Sequence, residues 1–308
     1  MAKIIGIGET ILDILFKDNQ PVRAVPGGSS FNGLISLGRL EVPAIFISEI
    51  GNDRVGKIIK DYMVESNLST DYIDTFPDGK SPVSLAFLDE NNDAAYSFYK
   101  DYPSSRLETG YPIIEADDIV LFGSYYALNP VLRPRMLDLL QFAVDRKAII
   151  YYDVNFRKTH EHESIRLTST IIENFEFADI IRGSDHDFKN MFNMMDVDKI
   201  YKDKIRFYCP NFIYTCADKG VDIRTVGLSK HYNAKPINPV STIGAGDNFN
   251  AGILFGLIQK KIRKADLPNL TENDWDAIIQ CGLDFATEVC LSIENSLSKA
   301  YAKNYRLI

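Results

Sequence analysis

Residues 131–157, VLRPRMLDLLQFAVDRKAIIYYDVNFR, hold the unit that decides the fold. Leu132, Met136, Leu139, Leu140 and Ala143 recur at helical spacing, which predicts a helix over residues 131–146. A uniformly apolar run follows, Ala148-Ile-Ile-Tyr-Tyr152. A run that short, with no polar alternation, reads as a strand buried on both faces, the mark of a parallel sheet. It then breaks into Asp153-Val-Asn155-Phe-Arg157. Those polar residues fall at the carboxyl end of the strand, where open α/β sheets bind ligands.

The same pattern extends in both directions. Lys3–Gly8 (KIIGIG) runs into Glu9, Ala44–Ile50 (AIFISEI) into Gly51-Asn-Asp53, and Ile119–Phe122 (IVLF) into Gly123-Ser124. Phe212–Cys216 (FIYTC) runs into Ala217-Asp-Lys-Gly220. From Asn273 onward, Trp275, Ile278, Ile279, Leu283, Ala286 and Val289 lie along one helical face, with Thr271-x-x-Asp274 as the start signal. Strand–helix alternation predicts a doubly wound α/β fold: one domain over residues 1–308, with a mainly parallel central sheet and helices on both faces. Two segments, about residues 11–26 and 82–101, break the alternation and read as strand pairs, the second closed by the turn Asp89-Glu-Asn-Asn-Asp93. With no helix to pair with, they are expected to form a small β-sheet projecting from the main domain as a lid.

Composition narrows the partners. The chain has 308 residues, 45% hydrophobic and 25% charged, as in a soluble globule with a large core. Its net charge is −8 with no dense basic stretch, which argues against nucleic acid. No run approaches the ~20 apolar residues that span a bilayer. The start MAKIIGIGET enters a strand directly, without the cationic and apolar regions of a secretion signal. Cys209, Cys216, Cys281 and Cys290 form no CxxC pair and no metal-like spacing, so they read as unbridged thiols of a reducing cytoplasm. His160, His162 and His186 read as scattered surface positions.

Two glycine motifs carry the chemistry. In Ser241-Thr-Ile-Gly-Ala-Gly-Asp-Asn-Phe-Asn-Ala-Gly252, the small-residue turn Gly244-Ala245-Gly246 leads into an apolar helix. Its unencumbered amides and the helix N-terminus form a donor array for an anion, and Asp247 in the first turn can touch a group reacting beside it. Phosphoryl transfer needs that pair: donors for the moving charge and a carboxylate for the alcohol proton. The bland alternative is a glycine turn with an Asp that merely suits the helix dipole. In Pro26-Gly-Gly-Ser-Ser-Phe-Asn-Gly33, Gly27 and Gly28 allow close backbone approach, and Asn32 falls in an apolar helical run. A buried amide there needs partners, either a sugar hydroxyl or nearby main chain.

Together these motifs resemble the ribokinase (PfkB) family of carbohydrate kinases, over nearly the whole chain. Gly8-Glu9 with Asp13 is similar to that family's opening sugar-binding strand, and Ile50-Gly-Asn-Asp-Arg-Val-Gly56 to its IGxDxxG turn. Asp153-x-Asn155-x-Arg157 is similar to its D-x-N-x-R strand end, and Thr215-Cys-Ala-Asp-Lys-Gly220 to its T-x-G-x-x-G nucleotide loop. The resemblance implies ATP with Mg²⁺ as cofactors and Asp247 as catalytic base, with Gly244, Ala245 and Gly246 as the anion hole. It implies that Asp13, Gly28 and Asn32 bind sugar hydroxyls under Phe98 of the lid, with Arg157 on substrate or phosphate. Asn155, Ser184, Thr215, Lys219 and Gly220 would lie by the nucleotide. The sequence departs from the family in three places. The N-x-x-E magnesium motif appears as Ser184-Asp-His-Asp187, which leaves Asp187 an indirect metal role; Ala217 replaces a glycine; and Ser241 replaces an acid, which weakens the case for a monovalent cation. Fructokinases and 2-keto-3-deoxygluconate kinases are nearest in pattern, with fructose favoured and ribose or a nucleoside open; a homodimer through the lid fits its exposed edge. Two other classes compete: a dinucleotide-binding oxidoreductase, for which Gly6-Ile-Gly8 lacks the third glycine, and a kinase-fold binder without turnover.

Overall fold

The computed structural model describes residues 2–88 and 94–305. The strands are β1 (Ile4–Ile7), β2 (Ile11–Lys17), β3 (Gln20–Gly27), β4 (Ala44–Gly51), β5 (Ile73–Phe76), β6 (Lys80–Leu88) and β7 (Ala94–Asp101). They continue with β8 (Ile119–Gly123), β9 (Ile149–Asp153), β10 (Ile180–Ser184), β11 (Asn211–Thr215), β12 (Val221–Arg224) and β13 (Ser229–Tyr232). The helices are α1 (Ser29–Arg39), α2 (Arg54–Glu65), α3 (Arg133–Asp145), α4 (Ser164–Phe177) and α5 (Asp185–Phe192). After the single turn α6 (Val197–Ile200) come α7 (Ala245–Gln259), α8 (Glu272–Cys290) and α9 (Lys299–Asn304).

Nine strands form the central sheet in the order β13-β12-β11-β10-β9-β8-β1-β4-β5. Every pairing from β11 across to β5 is parallel, and β12 and β13 add an antiparallel edge. Successive residues of a strand point to opposite faces, and both faces here are covered. Ile149 and Tyr151 of β9 enter a core with Phe31 and Leu34 of α1, Ile253 of α7 and Trp275 of α8. Ile150 and Tyr152 enter the opposite core with Met136 and Leu139 of α3, Leu167 of α4 and Phe188 of α5. That is why the strand sequences carry no alternation: neither face meets water. The doubly wound fold read from the sequence is the fold observed.

Strands β5, β10, β12 and β13 were not legible in advance. β5 (IDTF) and β12 (VDIR) are short and interrupted by polar residues, and in β10 the apolar run is cut by Arg182-Gly183. The capping box at Thr271 and Asp274 does open α8. The segments that broke the alternation form a separate four-stranded sheet, β3-β2-β6-β7, in which β2–β6 is parallel and the other pairs are antiparallel. The turn Asp89–Asp93 lies outside the described residues. Val25, Asp13, Ser84 and Phe98 stand in one row across this sheet, so their side chains share a face with the small apolar cluster of Leu15, Val25 and Ala86. No described helix is long and apolar enough to cross a membrane.

Candidate active site

The first turn of α7 and α1 meet at the carboxyl ends of the strands. Gly244 caps α7 at φ +81°, a left-handed conformation that suits glycine. A Cβ there would also sit 2.6 Å from the Asn295 carbonyl oxygen. Asn248 ties the turn down: its Nδ2 donates to the carbonyls of Gly244 (2.8 Å) and Asn295 (2.9 Å). The Ala245 amide is taken up by the Thr242 carbonyl at 3.2 Å. That differs from the sequence expectation, which counted Ala245 among the anion donors. The amides of Gly246 and Asp247 find no acceptor among the described residues and remain available.

Asp247 is half-buried beside them and accepts a hydrogen bond from Asn32 Nδ2 at 2.8 Å. Burial pushes its carboxyl up to about 6, against the opposing pull of the Asn32 bond and the Arg157 charge. Asn32 Oδ1 is buried with no partner among the described residues. With Nδ2 committed to the carboxylate, this oxygen is an acceptor facing no donor, and a buried acceptor of that kind is costly unless something completes it.

A second carboxylate lies nearby on the lid. Asp13 of β2 accepts from Ser84 Oγ of β6, and burial raises it to about 6 as well, with Glu9 raising it further and Arg157 lowering it. Gly27 makes room for it, since a Cβ at 27 would lie 2.5 Å from Asp13 Oδ2. At Gly28 φ is +135° and a Cβ would collide with the Glu9 carbonyl oxygen at 2.2 Å, so β1's exit and the start of α1 are pressed together there. Arg157 is exposed, and its charge acts on both Asp13 and Asp247. Phe98 is half exposed on β7, in register with Ser84.

The lid is latched to the sheet through Glu9. Lys100 Nζ lies 2.7 Å from Glu9 Oε1, and Tyr102 donates to the same oxygen at 2.5 Å. Arg106 stacks on the Tyr102 ring at 3.5 Å and pairs with buried Glu49 of β4. His160, expected as a surface residue, is half-buried and stacked on Tyr125 with ring centroids 3.8 Å apart. Nothing in the sequence pattern joined Tyr102, Arg106 and Glu49; only the fold does.

The residues expected near nucleotide lie at the ends of β9, β10 and β11 and in the loops that follow them. Asn155 has φ +38° just past β9, and Thr215 ends β11. The loop to Gly220 is held by Cys216 N to the Gly220 carbonyl at 2.8 Å. Lys219 is exposed, and Gly220 has φ +99° with a Cβ position only 2.0 Å from the Tyr232 carbonyl oxygen. Ser184 caps α5 in a reciprocal box with Asp187. Asp187 is buried, with Oδ1 on the Phe156 amide (2.8 Å) and Oδ2 on both the amide and the hydroxyl of Ser184 (2.6 and 2.8 Å). Those bonds engage both oxygens, so Asp187 does not fit as a direct metal ligand. Among the described residues no cluster of three His, Cys, Asp or Glu could hold a metal ion.

A doubly wound, mostly parallel sheet with a separate small sheet beside it is the ribokinase-like architecture. The chain belongs to the pfkB family of carbohydrate kinases, whose family profile matches residues 1–298. A fructokinase of Rhizobium leguminosarum bv. trifolii is 25% identical over 278 residues, covering 87% of this chain and 84% of the relative. A Vibrio cholerae O395 fructokinase double mutant, solved with fructose, ADP and potassium, superposes with a TM-score of 0.85 at 16% identity, covering 98% of this chain and 97% of that one. An aminoimidazole riboside kinase from Salmonella enterica, solved with aminoimidazole riboside and an ATP analog, gives 0.81 at 19% identity, with 96% of each chain covered. At such identities the structural likenesses establish the fold.

Proposed function

We propose that this carbohydrate kinase transfers the γ-phosphoryl group of ATP to a primary hydroxyl of a small neutral sugar, fructose being favoured, with Asp247 as general base. The observation that carries the reading is the pairing of a raised carboxyl at Asp247 with open amides at Gly246 and its own residue. A base with a pKa near 6 is ionised at neutral pH yet still basic enough to draw a proton from an alcohol as the bond forms. The amides face charge that grows on the moving phosphoryl group. Asn32 Oδ1 and Asp13 supply acceptors for other sugar hydroxyls, Gly28 lets the backbone approach the ring, and Phe98 covers it from the lid.

A neutral sugar is favoured over a sugar acid because Lys100 is already paired with Glu9. A carboxylate entering there would meet Glu9 and Asp13 as well as the cation. Nucleotide would lie toward Asn155, Ser184, Thr215, Lys219 and Gly220. Magnesium would be held by the phosphates it accompanies rather than by a protein cage, with Asp187 reaching it only through water. In the same reading, the free lid edges β3 and β7 offer a surface for a second copy of the chain. An ADP-release assay over fructose, ribose, 2-keto-3-deoxygluconate and a nucleoside tests the reading. Turnover fastest with fructose is expected, and ATP binding without turnover on any of them would overturn it.

A further inference from the structure

Arg182 brings a permanent charge into the middle of β10, directly after Ile180 and Ile181, and its side chain is 9% exposed. Burying a guanidinium is costly unless its donors are met. Two of them are: Nη1 donates to Asp153 Oδ1 of β9 at 2.9 Å, and Nη2 to Thr215 Oγ1 of β11 at 2.7 Å. The fork thus spans three neighbouring strands at their carboxyl ends. Nε is buried and has no partner among the described residues.

What the guanidinium supports lies above it. A Cβ on Gly246 would sit 3.1 Å from Nη2 and 3.4 Å from Nη1, so the outer edge of the group rests against the α-carbon of that glycine. The Phe249 ring, one turn further along α7, lies 6.0 Å from Cζ. The first turn of α7 therefore sits on Arg182, and that turn carries both open amides and Asp247.

The geometry points to Arg182 as a positioning residue for phosphoryl transfer: anchored to β9 and β11, its guanidinium sets the height of the α7 start and so aims the Gly246 and Asp247 amides and the Asp247 carboxylate. This role rests on the phosphoryl-transfer reading given above. A misplacement of about 1 Å in such a constellation costs on the order of 10²-fold in rate. Lysine keeps the charge but cannot hold Asp153 and Thr215 in one planar fork.

The test is steady-state kinetics on Arg182→Met and Arg182→Lys with the sugar the wild type turns over best. The Met variant is expected to lose about 10²-fold in kcat and the Lys variant about 10-fold, with sugar KM within about threefold of wild type in both. Unchanged kcat in the Met variant, or kcat and sugar affinity falling together in both variants, overturns the role. Should the Met variant fail to fold, Gly246→Ala in the wild-type and Arg182→Lys backgrounds decides the matter. Coupled losses support the contact, and additive losses overturn it. A wild type that releases no ADP with any sugar removes the phosphoryl-transfer reading itself; an active wild type with an unaffected Arg182 variant removes only this role.

Discussion

Gly33 and Asp247 meet without a side chain between them: a Cβ on Gly33 would lie 2.9 Å from the Asp247 carbonyl oxygen. The absent methyl lets α1 approach α7 closely enough for the neighbouring Asn32 to reach the Asp247 carboxylate. Gly33→Ala should therefore push the helices apart by a few tenths of an ångström. We expect kcat to fall roughly 10-fold while the fold loses about 1–3 kcal/mol, as for other overpacked contacts. Kinetics and urea unfolding on the same preparation check both.

Asp247→Asn should lower kcat by about 10²–10⁴-fold with sugar KM little changed, the range for losing a general base. Full kcat in that variant would show that another group takes the proton.

Asp247 and Asp13 hold their protons to about 6 in the fold, against 3.8 for an ordinary Asp. For catalysis, the rate should rise with pH through about 6 as the base ionises. For stability the sign is opposite. Between 3.8 and about 6 the folded chain binds more protons than the unfolded one, so each step up in pH across that window costs stability. Asp247→Asn should accordingly melt higher than wild type at about pH 8, with the advantage shrinking toward about pH 4. Thermal melts across that range would reveal a constant difference if the carboxyl were not raised.

Glu9→Gln should release Lys100 from its ion pair. Relative kcat/KM for 2-keto-3-deoxygluconate over fructose is expected to rise about 10-fold, the scale of one charge-assisted hydrogen bond gained by the acid substrate. An unchanged ratio would remove Lys100 from the choice between neutral and acidic sugars.

Glu49 and Arg106 pair almost wholly inside the protein, with side chains 1% and 7% exposed. Removing one partner strands the other, so Glu49→Ala should destabilise by about 3–5 kcal/mol. Calorimetry gives the size, and a loss under about 1 kcal/mol would mean that water reaches the pair.

The parallel sheet was legible because strands covered on both faces leave an apolar signature, as in Ile149–Tyr152. The glycine turns were legible because Gly244 and Gly28 occupy backbone conformations that other residues resist. The short strands β5 (IDTF) and β12 (VDIR) were not, since polar residues interrupt them, whereas β1, equally short, is apolar throughout. Arg182, Asn295 and Glu49 stayed hidden for a different reason. Each acts through partners remote in sequence: Asn295 Nδ2 on the Pro26 carbonyl, for instance, spans 269 positions. The sequence pointed to Asp187 as an indirect support for metal; what it could not show is that Asp187 caps α5 and holds the Phe156 amide.

Asn32 and Asp247 are 215 positions apart along the chain. During synthesis Gly27, Gly28 and Asn32 emerge early, while Asp247 arrives only after β1 through β13 have been made. Proteolytic fragments or early-terminated products would thus carry Asn32 without the carboxylate it donates to. If the proposed transfer reaction runs at this pair, turnover reports on the whole tertiary assembly and never on a part of it.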